Sequence, residues 1–204
     1  MKTKLAAPAA AFGMLLALAG CGSATDTTSN TATTKVPPTT AMDHSSMGSS
    51  ESTLPDDVSD KDVTFVQGMI PHHQQAVEMA QVVMERGSNA EVKALAEAIS
   101  NAQDPEIETM QGWLADWGQS EMNMGMMDGM MTDDEMMSLD DASGEELDRM
   151  FVEMMIRHHQ GAITMAEDEV ASGENADTID LAEGIIAAQK AELSRMNELL
   201  PTLG

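Results

Sequence analysis

Apolar and polar residues alternate with a helical period through most of the last three-quarters of this chain. Phe65, Met69, His72, His73, Ala76, Met79, Ala80 and Val83 share one face of a helix that advances about 100° per residue, the face a bundle turns inward. Ser59 with Asp62 predicts the start of that helix as a capping box, and Gly87 predicts its end as a residue in the C′ position. Ser88 with Glu91 predicts a second capping box at once, so the next helix follows a tight turn and runs antiparallel to the first. Its inward stripe is Leu95, Ile99, Ala102, Glu106, Met110 and Trp113. Pro71 predicts a bend in the first helix, and Pro105 a kink or a local break in the hydrogen-bond ladder of the second. Ser143 with Glu146 predicts a third start, Gly173 a third end, and a last helix runs from about Asn175 to Leu200 before Pro201. The expected fold is all-α, a four-helix bundle of two αα-hairpins. Helices of about 27 residues would be about 40 Å long. A connector of about 25 residues could cross that length or stay at one end, and the pattern does not decide between them.

The two hairpins repeat each other. Met69-Ile70-Pro71-His72-His73-Gln74-Gln75-Ala76-Val77-Glu78-Met79-Ala80 returns 86 residues later as Met155-Ile156-Arg157-His158-His159-Gln160-Gly161-Ala162-Ile163-Thr164-Met165-Ala166. The same offset maps Phe65 onto Phe151, Gln103 onto Gln189, Glu106 onto Glu192 and Met110 onto Met196, with 22 identities over the 50 positions from Phe65. Residues 59–118 and 143–200 therefore read as two copies of one unit, each carrying a His-His pair.

That pair changes the picture from packing to chemistry. The inward stripe aims His72, His73, His158 and His159 at the core, where each neutral imidazole has a donor and an acceptor to satisfy. Glu78 lies on the opposite side of its helix, so another helix must supply the partner. Met69 and Met79 flank one pair and Met155 and Met165 the other, and small Ala76 and Ala80 permit close approach. Thioethers beside imidazoles suit a soft or borderline metal, above all copper. Glu106 and Glu192 are expected on the core face, to orient a ligating imidazole through its second ring N–H, to bind metal themselves, or to reach water at a bundle end. The plain alternative is a core in which the histidines are packed and hydrogen-bonded and the methionines fill space.

Residues 120–137, between the copies, are rich in methionine: Met122, Met124, Met126, Met127, Met130, Met131, Met136 and Met137. Gly and Asp interrupt them without a helical period, so a core stripe is not expected there. Closely spaced thioethers on a flexible loop can close around Cu(I) or Ag(I); a Met-rich partner surface and an oxidation sink are the competing readings.

Before the bundle, residues 1–20 read as an export leader, with Lys2, Lys4 and an apolar run from Leu5 to Ala19. Leu18-Ala19-Gly20-Cys21 resembles a bacterial lipobox, in which Cys21 would become the lipidated first residue and hold the protein to a membrane outside the cytoplasm. Residues 21–58 are Ser/Thr/Pro-rich, lack the large apolar residues of a core and read as a disordered tether. Within it, Met42, His44 and Met47 repeat the thioether and imidazole chemistry as an accessory metal-binding segment. Cys21 is the only cysteine, which excludes an internal disulfide. The formal net charge of −25 argues against nucleic acid as a partner.

The motifs MIPHHQQAVEMA and MIRHHQGAITMA, in two copies with a Met-rich connector, resemble the domain-of-unknown-function family 305 over roughly residues 57–200. The resemblance implies a ferritin-like four-helix bundle and extracytoplasmic copper binding and resistance. It implies a metal-binding set of Met69, His72, His73, Met79, Met155, His158, His159 and Met165, with the Met-rich loop as a further site. The expected function is a non-catalytic copper-binding lipoprotein that sequesters Cu(I), tolerates Cu(II), accepts silver as a mimic, and exchanges copper with a transport or copper-oxidising protein. The alternatives are a ferritin-like di-iron or di-manganese protein and a structural envelope protein. The first needs Glu-x-x-His on two helices, and here Met69, Ile70, Met155 and Ile156 stand where those glutamates would be.

Overall fold

Ser59 fixes the start of α1, Asp60–Arg86, as the sequence predicts: its hydroxyl accepts from the amides of Lys61 and Asp62, and the Asp62 carboxylate accepts from the Ser59 amide at 2.6 Å. The computed structural model describes residues 54–122 and 127–204, so the leader, the lipobox and the expected tether up to residue 53 lie outside the described residues. Residues 54–58, expected as the end of a disordered tether, pack on the bundle, with Val58 buried and Leu54 against the same cluster. α2 is Ala90–Asp116, α3 is Asp133–Asp141, α4 is Gly144–Ser172 and α5 is Ala176–Leu199, followed by a 3-10 turn at Leu200–Thr202. Neither Pro71 nor Pro105 interrupts its helix. Among the described residues no helix is long and apolar enough to cross a membrane.

Two expected N-caps are corrected. Asn89, not Ser88, caps α2, its side chain accepting from the amides of Glu91 and Val92, because Ser88 is drawn away to Asp148. Ser143 makes no side-chain cap; the chain turns into α4 at Gly144, whose φ is +63°, and the hydroxyl does not meet the first amides. Gly87 and Gly173 end their helices, but at φ −61° and −68° rather than in the left-handed C′ conformation. Their need for glycine is close approach: a Cβ on Gly87 would lie 2.7 Å from Asp148 Oδ1, and one on Gly173 would strike the Glu169 carboxylate.

Asp148 and Asp62 explain why those corners are crowded. Asp148 Oδ2 accepts from the Ser88 and Asn89 amides at 3.0 and 2.7 Å, and Asp62 Oδ1 accepts from the Glu174 and Asn175 amides at 3.0 Å each. The first helix of each hairpin thus supplies a carboxylate to the start of the other hairpin's second helix, where amides have no helical partner and the dipole favours negative charge.

The same contacts settle the topology. Asp62 near the start of α1 meets Asn175 just beyond α4, and Gly87 just beyond α1 pairs with Gly144 at the start of α4, so α1 and α4 are antiparallel. The connector climbs α1 from end to end. Gln67 bonds Ser120, His72 meets Asp128, Gln75 bonds Met131 and Arg86 bonds Asp140. The four long helices therefore run up, down, down, up with one long crossover, the ferritin-like order.

Side chains divide the interior into two apolar clusters. One holds Ala76, Met79, Val83, Leu95, Ile99, Phe151, Met155 and Met196; the other holds Phe65, Met69, Ile70, Met110, Leu114, Ala162 and Ile185. The α2 face differs from expectation at one turn: Ala102 is exposed and Gln103 buried, because the stripe continues through Ile99, Gln103, Ile107, Met110 and Leu114 at three- and four-residue steps, leaving Trp113 half-buried.

Candidate metal centre

All four imidazoles of the His-His pairs are fully buried, halfway along α1 and α4 where the antiparallel helices face each other. The His72 and His158 rings lie 3.8 Å apart, centroid to centroid, at 43°. Each outer histidine reaches the second helix of its own hairpin: His73 Nε2 is 2.9 Å from Glu106 Oε2, and His159 Nε2 is 2.6 Å from Glu192 Oε2. His72 Nε2 lies 3.3 Å from the carbonyl oxygen of Asp128 in the connector. A carbonyl or carboxylate oxygen accepts, so these contacts favour the tautomer that donates from Nε2–H and leaves the lone pair on Nδ1. Among the described residues the Nδ1 atoms of all four rings have no hydrogen-bond partner, and neither does His158 Nε2.

Gln103 and Gln189 add to this layer. Both are buried, and among the described residues neither the oxygen nor the nitrogen of either side-chain amide has a partner. An unsatisfied buried donor or acceptor costs about 1–3 kcal/mol, so a cluster of this size is expensive unless a ligand or water meets it. Burial and the neighbouring His73 push the His72 pKa down to about 3, and burial with the adjacent His72 holds that of His158 well below its usual value. These two rings are neutral in neutral solution, the form in which an imidazole nitrogen binds a metal. The donors therefore fit a borderline or soft ion.

Methionine sulfurs stand on either side. Met69, Met79 and Met155 are fully buried and Met165 half-buried, as the stripe implies. Met110 and Met196, also fully buried, were legible as an identity pair at the 86-residue offset but carry no separate mark of a site. The connector behaves less uniformly than its composition suggests. Met131 is a core residue at 2% exposure, and Met136 and Met137 lie on α3, a helix that a stretch judged to have no helical period was not expected to contain. Thr132 and Glu135 form the capping box that starts it, and three acidic residues in its first turn favour the positive end of its dipole. Met136 is half-buried against the core, while Met122 and Met137 are exposed, and Met127 and Met130 are half-buried. The six described methionines of the connector are therefore dispersed along it. Met124, Met126, Met42, His44, Met47 and Cys21 lie outside the described residues.

Among the described residues no three of His, Cys, Asp and Glu converge as a metal-holding group, so the carboxylate-rich arrangement of a di-iron or di-manganese protein is not assembled there.

A family model described as "Domain of unknown function (DUF305)" matches residues 62–200. Among solved structures, a DUF305 protein from Streptomyces coelicolor is 34% identical, covering 71% of this chain and 94% of its own, with a TM-score of 0.67. A DUF305 fragment from Deinococcus radiodurans is 31% identical, covering 72% of this chain and 99% of its own, with the same TM-score. CopM, solved in a Cu(I)-bound form, is 31% identical, covering 69% of this chain and 96% of its own, with a TM-score of 0.61; it is also known in Cu(II)-bound and silver-bound forms. No curated protein sequence matches the chain.

Proposed function

The chain belongs to the DUF305 family, and from that premise we propose that it is a copper-binding protein that sequesters or hands on copper outside the cytoplasm. One observation carries this reading: four buried imidazoles, whose Nδ1 atoms meet no partner among the described residues, share the core with the buried thioethers of Met69, Met79 and Met155. Support comes also from CopM, which is 31% identical and was solved with Cu(I), Cu(II) and silver.

Copper is the cargo here. His72, His73, His158 and His159 would offer nitrogen, and Met69, Met79, Met155 and Met165 sulfur, a mixture that favours Cu(I) and admits Cu(II) through nitrogen. Glu106 and Glu192 hold the outer rings and fix which nitrogen is free. The leader and Cys21 place the protein at a membrane as a lipoprotein, and Met42, His44 and Met47 on the tether with Met122, Met124, Met126, Met127 and Met130 on the connector give accessory thioether and imidazole donors. A copper-transport or copper-oxidising protein is the class of partner that would take the ion. Catalysis is not part of this reading.

Reconstituting the purified protein with Cu(I), Zn(II) and Fe(II) in competition, followed by metal analysis, tests it. Copper is expected to be retained over the other two. Retention of iron in a pair per chain would favour the di-iron alternative, and retention of none would leave the histidines as packed core residues.

A further inference from the structure

The two copies of the His-His motif depart from each other at Pro71/Arg157, Gln75/Gly161, Val77/Ile163 and Glu78/Thr164. Three of those residues meet the connector. Gln75 Nε2 donates to the Met131 carbonyl at 2.9 Å while Gln75 Oε1 accepts from the Met131 amide at 2.7 Å. Arg157 donates to the Met131 sulfur at 3.0 Å and to Glu135 at 2.6 Å. On Gly161 a Cβ would lie 2.6 Å from the carbonyl carbon of Asp128 and 2.9 Å from the Gly129 Cα, so backbone rests on backbone. Gly68 does the same on α1: a Cβ there would come within 3.1 Å of the Met127 sulfur, and its counterpart 86 positions on is Met154. Glycine is a poor residue for a helix interior, and at both places the connector supplies the steric reason for it.

What residues 127–131 cover is the centre of the bundle. The Asp128 carbonyl that rests on Gly161 also lies 3.3 Å from His72 Nε2, and the His72 ring is 3.8 Å from that of His158. All four imidazoles are fully buried, so a dissolved ligand reaches them only if a segment moves. Among the described residues Asp128 is the one hydrogen-bond partner of these histidines that lies outside the long helices; Glu106 and Glu192 belong to α2 and α5. Asp128 also lines two cavities open to solvent, of about 430 and 290 Å³, the first beside Met127 and Met165 and the second beside Met130 and Gln160. Few bonds and open space nearby are the conditions under which a segment opens without unfolding the rest.

We propose that residues 127–131 form a gate over the His72–His158 pair, latched by Gln75 and seated on Gly68 and Gly161, and that ligands reach the imidazoles when it lifts. The copper reading above supplies the identity of the ligand; the gate itself rests on the contacts. Free and loaded protein keep the same latch, so loosening it quickens entry and release and leaves the number of ions held unchanged.

Gln75→Leu in the full-length chain removes both latch bonds from a half-buried position on α1. Losing two hydrogen bonds should raise the open fraction on the order of tenfold. In metal-free protein, carbethoxylation of His72 and His158 by diethyl pyrocarbonate, located by mass spectrometry, should quicken by a similar factor. Hydrogen exchange should quicken in the connector and not in α2 or α5. Cu(I) supplied from a chromophoric chelator should enter faster with the same final stoichiometry. Gly161→Ala, whose methyl displaces the Asp128 carbonyl, should act in the same direction, and Gln75→Leu serves alone if that variant does not fold. Carbethoxylation at the parent rate in Gln75→Leu, or hydrogen exchange that quickens across the whole bundle, overturns the gate and leaves the copper reading standing. Failure of the parent chain to take Cu(I) overturns the copper reading, and carbethoxylation then decides the gate by itself.

Discussion

Glu169 is a carboxylate whose environment departs far from what its type implies. It is buried where α4 ends, and burial together with the Asp62 carboxylate raises its pKa to about 7. One hydroxyl proton, that of Thr178, lies within reach of Glu169 Oε1 at 2.7 Å, Asp62 Oδ1 at 2.9 Å and the Asn175 carbonyl at 2.9 Å. A single donor cannot serve three acceptors, so a second proton on Glu169 resolves the shortage. Asp62, which accepts from Ser59 and the Asn175 amide, is held far below the usual carboxylate range and stays ionised. The folded pKa of Glu169 lies above its free value of 4.5, so its contribution to stability is complete below pH 4.5 and is lost as pH rises through about 7. Glu169→Gln supplies the proton permanently. In metal-free protein its urea midpoint is expected to match the parent near pH 4.5 and exceed it at pH 8. The comparison between variants matters because His72, with its lowered pKa, contributes in the opposite sense, losing stability as pH falls from 6.5 toward 3. Equal midpoints for variant and parent at pH 8 would show Glu169 to be ionised without penalty.

Helix starts separate what could be read from the chain from what could not. Ser59 with Asp62 announces α1 because both partners of that cap are three residues apart, and the His-His stripe is legible because its period is local. Ser88 misleads because its competitor, Asp148, is sixty positions away. The signal was nonetheless present: extending the 86-residue offset three residues back from Phe65 pairs Asp62 with Asp148, and two aspartates on the core side of helix starts need a reason. Gln103 was masked in the same way by its place beside a predicted Ala102, and α3 by methionines that broke the expected pattern. Asp148→Ala is expected to lower stability by about 1–3 kcal/mol, since the buried carboxylate accepts from the amides of both Ser88 and Asn89, whereas Asn89→Ala should cost about 1 kcal/mol as an ordinary cap. Chemical denaturation that ranks the two in reverse would mean that the long-range carboxylate adds little.

At the scale of the molecule, the histidine layer lies between two apolar half-cores, so a ligand there ties the halves together. Binding to the folded state alone stabilises it by RT ln(1 + [L]/Kd), about 2.7 kcal/mol at a hundredfold excess over Kd. Replacing His72, His73, His158 and His159 together by Gln should leave the protein helical and abolish the copper-dependent rise in melting temperature. A full rise in that variant, measured with the connector methionines also replaced by Leu, would remove the histidines from the ligand set.

The exchanged carboxylates carry a consequence of their own. A gene encoding one hairpin alone would make a product whose second helix lacks the carboxylate at its start, because that aspartate sits on the other hairpin. Two such products could complete each other only by pairing head to tail, each lending Asp62 or its equivalent to its twin. The crossover along α1 turns that obligatory partnership into a single covalent chain, and it leaves one of the two otherwise matching faces, the one bearing Gly68, different from the other.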